Sequence, residues 1–141
     1  MIRAATTPLF AFLASAALSG CFVYADTPKP VANIAPEIVY ADAGCYPDDY
    51  YHDFVWYFDA DVEDYDGSND VYEVFVDVYD DWTGEWIDGF DLLPEEGVTW
   101  YSAWVGSSTY LDCTYSGYVV DFTAVDIFGA ADVVTVYPAT W

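Results

Sequence analysis

The chain has 141 residues, 25 of them acidic and 2 basic, for a formal charge of −23. That length suits one domain with a real hydrophobic core, and 55% hydrophobic with 21% aromatic residues excludes wholesale disorder despite the charge. A surface this negative repels nucleic acid and anionic lipid headgroups, so neither is expected as a partner.

Residues 1–20 read as a processing signal. Arg3 is followed by an apolar run, Leu9 to Leu18, that is too short to span a bilayer. The run ends in Leu18-Ser19-Gly20-Cys21. A Cys directly after Leu-Ser-Gly resembles the lipobox of bacterial lipoproteins, and the resemblance covers residues 1–21. It implies cleavage before Cys21, diacylation of its thiol and acylation of the new amino group. Phe22 rather than Asp follows the Cys, which in that family implies transport to the outer membrane. The expected location is the bacterial cell envelope, on the periplasmic or surface face. A lipid buried at roughly 0.8 kcal/mol per CH₂ gives a multi-chain anchor, and membrane contact is expected through it alone.

Residues 21–36 carry Pro28, Pro30 and Pro36 with few large apolar side chains and read as an extended tether. The domain is then expected over 37–141. Its period is two nearly throughout. Phe54, Trp56, Phe58, Ala60 and Val62 alternate with a set that becomes acidic, so the first set should face the core. Tyr72, Val74, Val76 and Val78 alternate in the same way with Glu73, Phe75, Asp77 and Tyr79. Val120, Phe122 and Ala124 form a third inward set, and Val133 to Tyr137 closes the domain. Strands at Glu37 to Tyr40, near Trp86 to Leu92 and near Val98 to Val105 bring the number to about seven. Turn signals separate them, among them Asp66-Gly67, Thr83-Gly84, Glu96-Gly97, Ser116-Gly117 and Phe128-Gly129. The expected class is all-β.

The stretches "FDADVEDYDGSNDVYEVFVDV" and "GYVVDFTAVDIFGAADVVTVYP" resemble the immunoglobulin-like and fibronectin-type-III-like domains of bacterial surface proteins. The similarity is one of pattern over roughly residues 36–138. It implies an antiparallel β-sandwich of about seven strands after the signal segment, with Tyr118 as a corner tyrosine. It implies no activity. The chain departs from antibody domains in having no Cys pair on the second and sixth strands. Lipidation of Cys21 leaves Cys45 and Cys113, which in an exported domain are expected to form a disulfide. The immunoglobulin-like order puts both in connections at one end. Such a bridge closes a loop of about 70 residues, worth roughly 4 kcal/mol on the chain-entropy argument.

The same order gathers Asp64, Asp66, Asp70, Asp126 and Asp132 at the opposite end, with Lys29 in the tether and no cation beside them. Such carboxylates either splay into water, hold raised pKa values or surround a cation. Oxygen ligands on flexible turns suit Ca²⁺, the one cofactor expected here. The spacing is not that of an EF-hand, because glycine comes too early and Phe75 stands where the twelfth-position Glu is needed. A second candidate is the outward sheet face, where Phe75, Tyr79 and Tyr137 interleave with Glu73, Asp77, Asp121 and Thr135. It would stack on a sugar ring or anchor a partner protein, unless the aromatics only pack on one another across strands. His52 beside Asp53 is expected to be solvated and charge-paired rather than a metal ligand.

Catalysis is not expected. Beyond the signal there is no Arg, one Lys and one His. No Ser lies in a nucleophile elbow, and no Gly-rich phosphate loop is present. Carboxylate pairs suffice for glycoside hydrolysis, but any acidic protein has them. The acidity also resembles that of proteins from salt-loving organisms, where screening removes the self-repulsion. The sequence thus leads to a lipid-anchored envelope protein with a structural or adhesive module, whose acidic end either makes tight turns with acids kept for solubility or holds Ca²⁺ as a stabiliser. A carbohydrate-binding module built on the aromatic-acidic face is the alternative.

Overall fold

The computed structural model describes residues 32–67 and 69–140. Cys21 and the rest of the expected signal, and most of the expected tether, lie outside the described residues. All seven strands are antiparallel: β1 (Glu37–Asp48), β2 (Asp53–Glu63), β3 (Val71–Asp80), β4 (Trp86–Pro94), β5 (Thr99–Val105), β6 (Tyr118–Asp126) and β7 (Ala131–Val136). A single 3₁₀ turn, Gly106–Ser108, follows β5. No helix among the described residues is long and apolar enough to cross a membrane.

The spatial order is β1-β2-β5-β4-β3-β6-β7. Its weak point is the β4–β5 seam, paired only at Leu93 with Tyr101 and Pro94 with Trp100. The sheet therefore folds there into two ladders, β1-β2-β5 and β4-β3-β6-β7, around one core. The far edges also approach: Ala139 donates its N–H to Ala43 O, and Cys45 donates its N–H to Ala139 O, both at 2.9 Å. The sheet thus nearly closes into a barrel.

Period-two patterning explains the core. Trp56, Phe58, Ala60 and Val62 on β2 are buried opposite Val74, Val76 and Val78 on β3 and Val120, Phe122 and Ala124 on β6. Phe58 links the ladders directly, stacked on Phe90 at 5.0 Å and edge-on to Phe122 at 6.5 Å. Residues rich in β-branched and aromatic side chains form these strands because such side chains pack well on a pleated surface. Tyr118 is buried beside Trp56, and its hydroxyl accepts the Asp112 N–H at 2.9 Å.

Two expectations need correction. The first strand does not stop at Tyr40 but runs on to Asp48, so Cys45 lies on β1 rather than in a connection. Gly44 and Pro47 disguise that extension. Gly44 is required because a Cβ there would stand 2.9 Å from both Ala139 O and the Tyr57 hydroxyl. Tyr72 does not face the core either. A bulge between Val71 and Glu73 shifts the register, burying Val71 and leaving Tyr72 68% exposed.

Cys45 and Cys113 form the expected disulfide, with Cα atoms 6.0 Å apart. It ties β1 to the loop between β5 and β6, and both sulfur-bearing residues are buried. With 68 residues of separation, reduction should lower unfolding free energy by about 4 kcal/mol. Denaturant titration with and without reductant, repeated on Cys45→Ser/Cys113→Ser, measures this; reductant should not affect the double variant.

Candidate functional site

Asx turns recur at both ends of the strands. β1, β3 and β6 each finish on an aspartate, and each carboxylate accepts N–H groups of the turn that follows. Asp48 Oδ1 accepts from Tyr50 and Tyr51, and Asp80 Oδ1 from Trp82 and Thr83. Asp126 Oδ1 accepts from Phe128 and Ala130, both at 2.8 Å. A short acidic side chain at a strand end thus supplies the acceptors that the turn's backbone lacks.

The connections carrying the five expected calcium ligands do meet, since Ile127 donates its N–H to Asp70 O at 2.8 Å. Three of the carboxylates are turned to N–H donors of the segment before and at the start of β1. Asn33 Nδ2 donates to Asp126 Oδ2 at 2.6 Å, Ile34 N–H to Asp66 Oδ2 at 2.7 Å, and Ile38 N–H to Asp132 Oδ2 at 2.9 Å. Asp64 Oδ1 accepts the Asp66 N–H, while Asp64 Oδ2 is buried without a described partner. Asp66 and Asp70 line a hollow with Asn33 and Phe128. No group of three or more His, Cys, Asp or Glu among the described residues is arranged to hold a metal ion. The residues at the end of the expected tether are therefore strapped to the domain, a role for Asn33 that composition did not reveal.

Asp126 is only 2% exposed. Burial pushes its carboxyl up, but hydrogen bonds from Asn33, Ala130 and Phe128 outweigh that and hold it below its ordinary value. Asp59, on the outer face of the β1-β2-β5 ladder, behaves oppositely. Burial, then the nearby Asp61, Asp42 and Glu95 charges, raise its carboxyl, and its Oδ1 has no hydrogen-bond partner among the described residues. His52 lies exposed in the β1–β2 turn at φ 53°, and Asp53 accepts the Ser107 N–H at 2.9 Å.

The outer face of the β4-β3-β6-β7 ladder is the strongest candidate for binding. Register aligns Gly89, Asp77, Asp121 and Thr135 in one row across four strands. Trp86 Nε1 donates to Asp77 Oδ1 at 2.8 Å, and Thr135 Oγ1 donates to Asp121 Oδ1 at 2.6 Å. The Trp86 ring lies over Gly89, where a Cβ would meet Trp86 Cζ2 at 3.4 Å and Asp77 Oδ1 at 3.2 Å. Trp86 remains 53% exposed. Phe75 and Tyr79 flank Asp77 on β3, both half-buried. Burial, then the Asp77 and Asp121 charges, raise the Tyr79 hydroxyl, which places it beside those carboxylates. Tyr137 lies just past the end of β7 and is 68% exposed. Sequence reading singled out Phe75, Tyr79 and Tyr137 on this face but not Trp86. The available signal was a Trp three residues before a glycine facing an acidic strand.

Chemically, this face offers a fixed aromatic plane and carboxylate oxygens that only accept hydrogen bonds. It suits a ligand rich in donors and repels anionic ones. No family model matches the chain, and no curated protein or solved structure matches it.

The two carboxyl shifts predict opposite pH behaviour. Asp126 has a lowered folded pKa, so its stabilisation is present above the ordinary Asp value of about 4 and is lost as pH falls through the folded value. Asp126→Ala should lower Tm by about 5–10 °C at pH 7, by a smaller margin in acid. Asp59 has a raised folded pKa and destabilises when ionised, so Asp59→Asn should raise Tm by about 2–4 °C at pH 7, the gain fading as pH falls. Thermal melts from about pH 3 to about pH 7, which span the ordinary carboxylate values, check both signs.

Proposed function

We propose that this chain is a non-enzymatic adhesive module of the bacterial envelope, an immunoglobulin-like sandwich anchored through lipid on Cys21. Its β4-β3-β6-β7 face would grip an uncharged, hydroxyl-rich partner such as a neutral glycan. The observation that carries the binding reading is Trp86, held against Gly89 by its bond to Asp77 yet half exposed. An aromatic plane fixed before the ligand arrives loses little entropy on binding, and its neighbours Asp77 and Asp121 can accept hydroxyl donors. Support for the sandwich comes from the split of the strands into β1-β2-β5 and β4-β3-β6-β7. The Tyr118 hydroxyl bonded to the Asp112 N–H also matches a tyrosine corner.

Binding to arrayed neutral glycans should fall at least about tenfold in Trp86→Ala, and further with Tyr79→Ala and Tyr137→Ala. Anionic glycans should not bind. If no glycan binds, the saccharide reading fails and adhesion to a protein through the same face takes its place.

Calcium belongs to this proposal as a stiffener of the β2–β3 turn, where Asp64 Oδ2 lacks a described partner and Asp70 faces the hollow. A saturable Tm rise in Ca²⁺ over matched ionic strength, absent from Asp70→Asn, is the expected result. A rise that follows ionic strength alone would assign the acidity to salt adaptation.

A further inference from the structure

Seven register pairs bind β5 to β2, yet only Tyr101 and Trp100 of β5 meet β4. Beyond that point the strands diverge, and Ser102–Val105 have no partner strand on the β4 side. The opening is bounded at its other end, where Tyr110 donates its N–H to Asp88 Oδ2 at 2.9 Å. Between these two ties lies a cleft of ≈ 610 Å³ lined by Asp91, Leu93, Glu95, Ser102, Ala103 and Trp104. Trp104 leans on Phe90 at 5.6 Å and stays 42% exposed, while Leu93 is 68% exposed. Ser102 is 92% buried by its 8% exposure, and its hydroxyl has no hydrogen-bond partner among the described residues.

We propose that this cleft receives an extended, cationic peptide segment of a partner protein, added as a short strand to the free edge of β5. An unpaired strand edge is a template for another strand. At about 3.3 Å per residue, the free edge suits a segment of about four residues. Trp104 and Leu93 would receive its apolar side chains, and the Ser102 hydroxyl would gain a partner. Charge selects the occupant. Asp91 and Glu95 line the cleft, and no Lys or Arg occurs among the described residues. A second copy of this chain, carrying the same excess of acids, is repelled, whereas alternating Lys and Val would be attracted. This cleft adjoins the Trp86 face at Asp91, which pairs with Phe75, but its argument uses the free edge of β5 and stands or falls without that face.

The test titrates the full chain with a capped Lys-Val-Lys-Val-Lys peptide at low salt, following backbone amide shifts by NMR. Two controls are its Glu-for-Lys counterpart and the same Lys peptide N-methylated at alternate residues. The expected result is saturable binding with shifts concentrated at Ser102–Val105, weakened at least about tenfold by N-methylation or by Asp91→Lys/Glu95→Lys, and no binding of the Glu peptide. Charge reversal at two exposed positions leaves the core untouched, and an unchanged melt of that variant verifies this. Equal binding of the N-methylated peptide would reduce the effect to unspecific charge attraction and overturn the proposal. Shifts elsewhere, no binding, or a concentration-dependent dimer that perturbs the same amides would also overturn it.

Discussion

The hydrogen bond from a backbone N–H to an aspartate carboxylate carries much of this structure's organisation. A chain with 25 acids and 2 bases cannot neutralise its carboxylates with ion pairs, and among the described residues only His52 could carry positive charge. The fold instead places aspartates where the backbone has N–H groups to spare. Asp48, Asp80 and Asp126 each end a strand and hold the turn after it. Asp66, Asp126 and Asp132 fasten the segment entering β1. Charge-assisted hydrogen bonds of this kind are stronger than neutral ones, so an acidic excess becomes a source of order at strand ends. Where the donors run out, as at Asp59, the carboxyl is raised and its charge opposes folding.

The same logic shapes the binding face. Asp77 and Asp121 are each fixed by a neutral donor, the Trp86 indole and the Thr135 hydroxyl, and not by a cation. Their remaining acceptor oxygens face outward beside the indole rather than toward a basic side chain. A surface that only accepts hydrogen bonds discriminates among ligands by their donors, and the fixed indole adds a stacking plane.

Much of the core was legible from period two alone. Trp56, Phe58, Val74, Val76, Val120 and Phe122 face inward as the alternation requires, and Cys45 and Cys113 are joined. What the pattern could not reveal depends on register. The bulge at Val71 turns Tyr72 outward, and nothing in the local alternation marks an extra residue. The length of β1 was hidden because Gly44 and Pro47 interrupt the pattern, although its second half pairs with the neighbouring β2 from Ala41 with Ala60 to Asp48 with Asp53. Trp86 escaped notice because its role depends on Gly89 and Asp77 lying opposite one another on neighbouring strands. The acids were read as a group short of cations, whereas their N–H donors are backbone groups that composition does not display.

Native-state hydrogen exchange of single amides tests this account most directly. In the unaltered chain the Ile38, Phe128 and Ala130 amides should be protected, although none of these bonds is a strand-ladder bond. Asp126→Ala should release Phe128 and Ala130 by at least about tenfold more than the β3–β6 ladder amides, and Asp132→Ala should release Ile38 alone. Amides at these positions that exchange freely in the unaltered chain, or that keep their protection after the carboxylate is removed, would contradict it.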